Sequence, residues 1–245
     1  MTTVRVPGFS PSTAGLHFPN RFPHEPIAEF QLGSIATLTV GDAANGLCGG
    51  MSFTTADLRA AGIAPPPDTT PPAGDTAPYH YIAGRQVDSF EMGAVPLRFY
   101  GLMSPSRPDR DSAVSGLLVR LGLRLHSRTW VMLHDEWPKV RADLDGGRLS
   151  PIGLVRVVSA DPGQLTHNHQ VLAWGYDLDG AALSIFIYDP NWPDQDGVRL
   201  ILEVTDPTAR STPTYVLSDG RPNPDGPVLC FFRAPYEPKD PAPWR

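Results

Sequence analysis

Two apolar runs, Gln170–Tyr176 and Ala182–Tyr188, are separated only by a short segment ending in Asp179-Gly180. An Asp-Gly pair between strand-like runs is a strong short-range hairpin signal, so the two runs are expected to be antiparallel neighbours. Further strand-like runs at Pro151–Val158, Val198–Thr205 and Pro227–Phe232 extend the sheet. Ahead of them the periodicity is helical. After Cys48, Met51, Phe53, Ala56, Leu58 and Ala60 supply apolar positions before a stop at Gly62. Asp111 is a candidate N-cap for a helix carrying Val114, Leu117, Leu118, Leu121 and Leu125. A further helix is expected from Trp130 to Leu144, with Trp137, Val140 and Leu144 on one face, and Pro138 requires it to start near Asp135 or to kink. Helices followed by strands predict an α+β fold, a helical N-terminal part packed on an antiparallel sheet.

Proline limits the rest, with 28 residues in a chain of 245. Residues 1–34 read as an extended Pro-rich segment whose aromatics fill surface grooves, His17 and His24 being structural. Ile35–Val40 reads as a short strand, and residues 64–78 as a Pro-rich surface loop. Tyr79–Tyr100 shows no assignable period. With 41% hydrophobic residues the chain can bury one substantial core, so a single domain over 1–245 is expected. A net charge of −6 without a basic run argues against nucleic-acid partners. No apolar run approaches the roughly 18 residues of a membrane span. The N-terminus lacks a leader design, so the expectation is a cytoplasmic protein or export without a classical signal peptide. The two cysteines, Cys48 and Cys230, encode no disulfide framework and no paired-Cys zinc site; one bond between them is the single pairing open. Nothing in the sequence fixes the oligomeric state.

The chemistry-bearing residues follow from these elements. Cys48 lies between glycines, Gly46, Gly49 and Gly50, at or near a helix N-terminus, where unpaired N–H groups and the helix dipole favour a thiolate. Thr166-His167-Asn168-His169 opens the first hairpin strand and Tyr188-Asp189-Pro190-Asn191 closes the second, so His169 and Asp189 are expected at one rim of the sheet. A thiol, a base and a group that fixes the base's tautomer are the parts of an activated nucleophile. His167, two residues from His169, is expected on the same strand face. A metal site from His167, His169, Cys48 and Asp189 is the competing chemistry.

Asn168-His169-Gln170-Val171-Leu172-Ala173-Trp174-Gly175-Tyr176 resembles the histidine strand of papain-like cysteine peptidases, and Cys48-Gly49-Gly50 with its helix is similar to the family's nucleophile segment. Asp189-Pro190 and the Pro-Ile-Gly-Leu-Val run ahead of the histidine look more like the bacteriocin-leader peptidase branch. The resemblance spans residues 41 to 192. It implies a papain-like fold, no cofactor, a peptide or protein substrate, and a thiol hydrolase or acyltransferase with Cys48 as nucleophile, His169 as base and acid, and Asp189 as orienting acceptor. Asn191 is the rival third member and His167 the rival base. The family's oxyanion-donating Gln corresponds here to Asp42, whose charge would repel an oxyanion. Asn45 is the expected substitute donor. Since losing one donor costs about a hundredfold to a thousandfold in rate, a papain-like binding module with weak or no turnover is the alternative.

Overall fold

The structure, a computed structural model, describes the chain except residues 23–25, 33–35, 43–45, 113–116, 118, 123–124 and 205–209, and gives the backbone alone for 26–32 and 36–42. Asn45 therefore lies outside the described residues, as do His24 and the side chain of Asp42.

Helices and an antiparallel sheet make up the fold, consistent with the α+β expectation. The order is β1 (Thr2–Arg5), a single turn α1 (Pro11–Ala14), the hairpin β2 (Pro26–Leu32) and β3 (Ala36–Asp42), then α2 (Cys48–Ala60), α3 (Ala77–Asp88) and α4 (Ala94–Met103). A short turn α5 (Arg128–Trp130) leads through a wide-wound segment, Val131–Glu136, into α6 (Trp137–Asp145). The strands β4 (Ser150–Val155), β5 (His169–Asp179), β6 (Ala182–Tyr188), β7 (Arg199–Glu203), β8 (Thr214–Val216) and β9 (Cys230–Arg233) complete the chain. In the main sheet they run β8-β7-β6-β5-β4-β9. The long strand β5 holds β4 against its first half, from Leu154 opposite His169 to Ser150 opposite Ala173, and β1 against its second half.

The first 34 residues thus depart from a purely extended segment: β1 joins the main sheet and β2 pairs with β3. The signal for β1 was present in the alternation of Thr3-Val4-Arg5-Val6. The aromatics of this segment do fill grooves, Phe9, Phe18 and Phe22 being buried. The run Tyr79–Tyr100 is mostly helical. Pro78, just before it, and Pro96, within it, lie in the first turns of α3 and α4, where the missing N–H costs nothing, so punctuation that reads as loop marks helix starts. Trp137, Val140 and Leu144 line one buried face as expected. Pro138 is accommodated because the helix widens before it, the N–H of Trp137 bonding to the carbonyl of Met132 five residues back.

The helix expected after Asp111 is only partly described. Its described leucines, Leu117, Leu121 and Leu125, are exposed at 58%, 62% and 67%, contrary to a core-facing stripe. The Asp111 carboxylate accepts from the backbone N–H of Ser127 at 3.0 Å, ahead of α5. Both cysteines are free, Cys230 being buried in β9.

Gly49 and Gly50 are not a turn; they lie in the first helical turn of α2. A Cβ on Gly50 would sit 2.2 Å from the carbonyl oxygen of Ile82, and one on Gly49 would sit 2.3 Å from the Ser89 hydroxyl and 2.9 Å from the Gln170 amide. These glycines let α2 lie directly on α3 and β5. The same pair of helices is locked by Asp57, which is fully buried. Its carboxylate forms an ion pair with Arg85, 2.7 Å from Nε, and accepts from Arg85 Nη2 at 3.2 Å, Tyr81 Oη at 2.9 Å, Tyr236 Oη at 2.8 Å and the backbone N–H of Lys239 at 2.9 Å. The C-terminal segment is thereby tied to both helices.

Two stability effects are expected. Ala is normally the better helix former by about 1 kcal/mol, yet Gly50→Ala should destabilise by about 1–3 kcal/mol because its methyl has no room. Asp57→Ala should cost about 3–5 kcal/mol by removing the buried carboxylate that pairs with Arg85 and accepts from Tyr81, Tyr236 and Lys239. Urea unfolding followed by tryptophan fluorescence measures both.

Candidate active site

Cys48 is the first residue of α2, partly exposed at the floor of a cleft of about 390 Å³. The α2 glycines bring the sulfur onto the start of β5, where the backbone N–H of Gln170 donates to Sγ at 3.4 Å. His169, the preceding residue, lines the same cleft. Its Nε2 is 2.7 Å from Asp189 Oδ1, so the hairpin has brought together the start of one strand and the residue after the end of the next. With Nε2 held by the carboxylate, Nδ1 is the ring nitrogen left to exchange a proton with the sulfur.

The Asp189 carboxylate is 1% exposed and fully engaged. Oδ1 also accepts from the backbone N–H of Asn191 at 2.8 Å, and Oδ2 accepts from Tyr215 Oη on β8. A buried carboxylate that satisfied cannot rotate away from the imidazole. It fixes the ring's tautomer and direction.

The electrostatics favour a charged sulfur–imidazole pair. Burial pushes the Cys48 thiol up, but the charge of His169, a hydrogen bond with its ring and the Gln170 N–H together outweigh this, so the thiol is held below its ordinary value. For His169, burial pushes downward and is overcome by the charges of Asp189 and Cys48 and by hydrogen bonds to both; the imidazole is raised to about 10. These opposite shifts, the thiol lowered and the imidazole raised, favour thiolate with imidazolium.

The remaining candidates occupy different places. His167 is not on the strand with His169: it is the last residue of a short helical turn, Pro162–His167, exposed at the cleft mouth. The turn breaks the strand alternation that a shared face requires. Asn191 lines the cleft but does not contact the ring through its side chain among the described bonds; it accepts from Asn20 Nδ2 at 3.1 Å. Among the described residues, no group of three or more His, Cys, Asp and Glu side chains is disposed to hold a metal ion.

Asn20 was missed by sequence reasoning. Its Oδ1 accepts from the backbone N–H of Leu47 at 2.6 Å, its backbone N–H donates to Pro190 at 2.9 Å, and its amide packs on Gly46, so a Cβ there would meet Nδ2 at 2.4 Å. It thus connects the segment before Cys48 to the segment after Asp189. One Nδ2 hydrogen goes to Asn191, and among the described residues the other has no acceptor. A polar residue between Pro19 and Pro23 was the only hint in the sequence. Tyr215 gave no hint at all.

No protein-family model, curated protein or solved structure matches this chain.

The rate of Cys48 alkylation by iodoacetamide should rise with pH through a midpoint below 9.0, the ordinary thiol value. In His169→Gln the favourable charge and hydrogen bond are lost while burial remains, so the midpoint should move upward. Stopped-time mass spectrometry of the labelled protein across pH measures both midpoints.

Proposed function

We propose that this chain is a papain-like thiol hydrolase or acyltransferase that opens a peptide or other amide bond, with Cys48 as nucleophile, His169 as acid and base, and Asp189 as the group that orients the ring. The observation that carries this reading is the convergence of Cys48 and His169 in one open cleft, with the buried Asp189 carboxylate holding the ring from behind.

The thiolate attacks the carbonyl carbon, a C–S bond forms and the carbonyl electrons move onto oxygen. As that oxyanion collapses, the C–N bond breaks and the His169 imidazolium gives its proton to the departing amine, leaving a thioester on Cys48. Water then adds to the thioester while the imidazole takes its proton, and the C–S bond breaks to restore the thiolate and imidazolium. An amine in place of water gives acyl transfer by the same steps. Asn20 supplies the oxyanion donor that Asp42 does not, through its second Nδ2 hydrogen, with the backbone N–H at the start of α2 as its companion.

The wild-type protein mixed with p-nitrophenyl acetate should release a burst of p-nitrophenol and carry one acetyl group on Cys48 by intact mass. Cys48→Ala should abolish both. Asn20→Asp keeps the acceptor for Leu47 but removes the donor, and should slow the acylation burst by about a hundredfold to a thousandfold with the melting temperature little changed. A burst that survives in Cys48→Ala overturns the assignment of the nucleophile. A folded wild-type protein that is never acylated overturns turnover in favour of a groove that only binds.

A further inference from the structure

Arg156 is the first residue past β4, and its backbone N–H is fixed by Asn168 Oδ1 at 3.0 Å, beside His169. Its side chain lines the cleft that holds Cys48. The Nε of that guanidinium is buried and makes no hydrogen bond. Among the described residues no carboxylate lies within ion-pairing distance of it, although Arg85, Arg128 and Arg233 all have carboxylate partners.

An arginine drawn part-way out of water normally keeps its donors satisfied, because an unpaired buried donor on a charged group is costly. Arg156 is left incomplete where a substrate would lie, on a protein whose overall charge is −6. Arg21 and His167 line the same cleft, and among the described lining residues the carboxylate is Asp225, which is engaged by Asn191 Nδ2 at 3.4 Å. A planar guanidinium suits a carboxylate, which can accept two parallel hydrogen bonds from it.

We infer that Arg156 is a specificity residue that takes a carboxylate of the substrate next to the bond being opened. The inference rests on the reading of Cys48 as an activated nucleophile. The substrate is then an amide with an acidic side chain, or a free C-terminal carboxylate, beside the scissile carbonyl. Arg156 holds this group and so orients the carbonyl towards the sulfur.

Alkylation of Cys48 tests this without a known substrate. Iodoacetate and iodoacetamide react at the same sulfur and differ in the carboxylate, so the ratio of their rates reads the attraction of the cleft for an anion. Relative to wild type, Arg156→Gln should lower that ratio by about tenfold, the size of one charge-assisted hydrogen bond, and Arg156→Lys should lower it less because the charge is kept. Iodoacetyl-glycine and the α-amide of iodoacetyl-aspartate, which keeps its side-chain carboxylate free, then separate the two sources, a chain terminus and an acidic side chain, by which of them loses rate in Arg156→Gln. A ratio unchanged in Arg156→Gln overturns the carboxylate site while leaving the nucleophile intact. Wild-type Cys48 reacting with both reagents no faster than free cysteine overturns the activated thiol itself. If Arg156→Gln melts well below wild type, Arg156→Lys decides, and a ratio equal to that of wild type with iodoacetyl-glycine and the α-amide of iodoacetyl-aspartate both showing no advantage over iodoacetamide counts against the site.

Discussion

The contact between the first turn of α2 and its neighbours governs the rest of the molecule. Gly49 and Gly50 allow α2 to approach so closely that the carbonyl of Ile82 and the Gln170 side chain occupy the space where two Cβ atoms would be. The backbone N–H of Gly50 then donates to Gln86 Oε1 at 2.8 Å. A helix set back by the width of a methyl group would carry Cys48 away from the Gln170 N–H, and the sulfur would lose both a hydrogen-bond donor and its nearness to the His169 ring. Backbone packing at α2 and the acidity of the Cys48 thiol are therefore one constraint.

That contact is maintained by buried charge as well as by apolar packing. Asp57 and Arg85 pair across α2 and α3, and the Arg85 side chain also lies over the Phe53 and Tyr236 rings at 4.9 and 5.6 Å. A buried ion pair contributes little to net stability compared with a well-packed apolar pair, but its directional bonds admit few alternative arrangements. Here those bonds fix the C-terminal segment through Tyr236 and Lys239. A second satisfied carboxylate, Asp189, does the equivalent for the imidazole, held by bonds from β8 and from the chain that follows it. Cys48 and Arg156 line the same cleft, the latter with a buried Nε that makes no hydrogen bond.

Much of this was legible in the chain before folding. The Asp-Gly junction fixed β5 and β6 as neighbours, and with them the proximity of His169 and Asp189, because antiparallel pairing places the start of one strand beside the end of the next. The apolar spacing after Cys48 marked α2. His167 shows where local reasoning failed: a strand was extended two residues too far, since Leu165 and its neighbours bond among themselves in a tight turn rather than across the sheet. The helices α3 and α4 were hidden by prolines that stand at helix starts.

By itself the sequence determined the hairpin, the helix that begins at Cys48 and the order of thiol, imidazole and carboxylate, because these depend on periodicity and turn chemistry over a few consecutive residues. Only the tertiary structure decided which other side chains gather around these three. Asn20 arrives from the N-terminal segment, Arg156 from the end of β4 and Tyr215 from an edge strand. Each sits in a short or irregular stretch with no repeating pattern, and its neighbours lie far away along the chain. Their roles come from the way the sheet curls and the loops close over it, which no local spacing encodes.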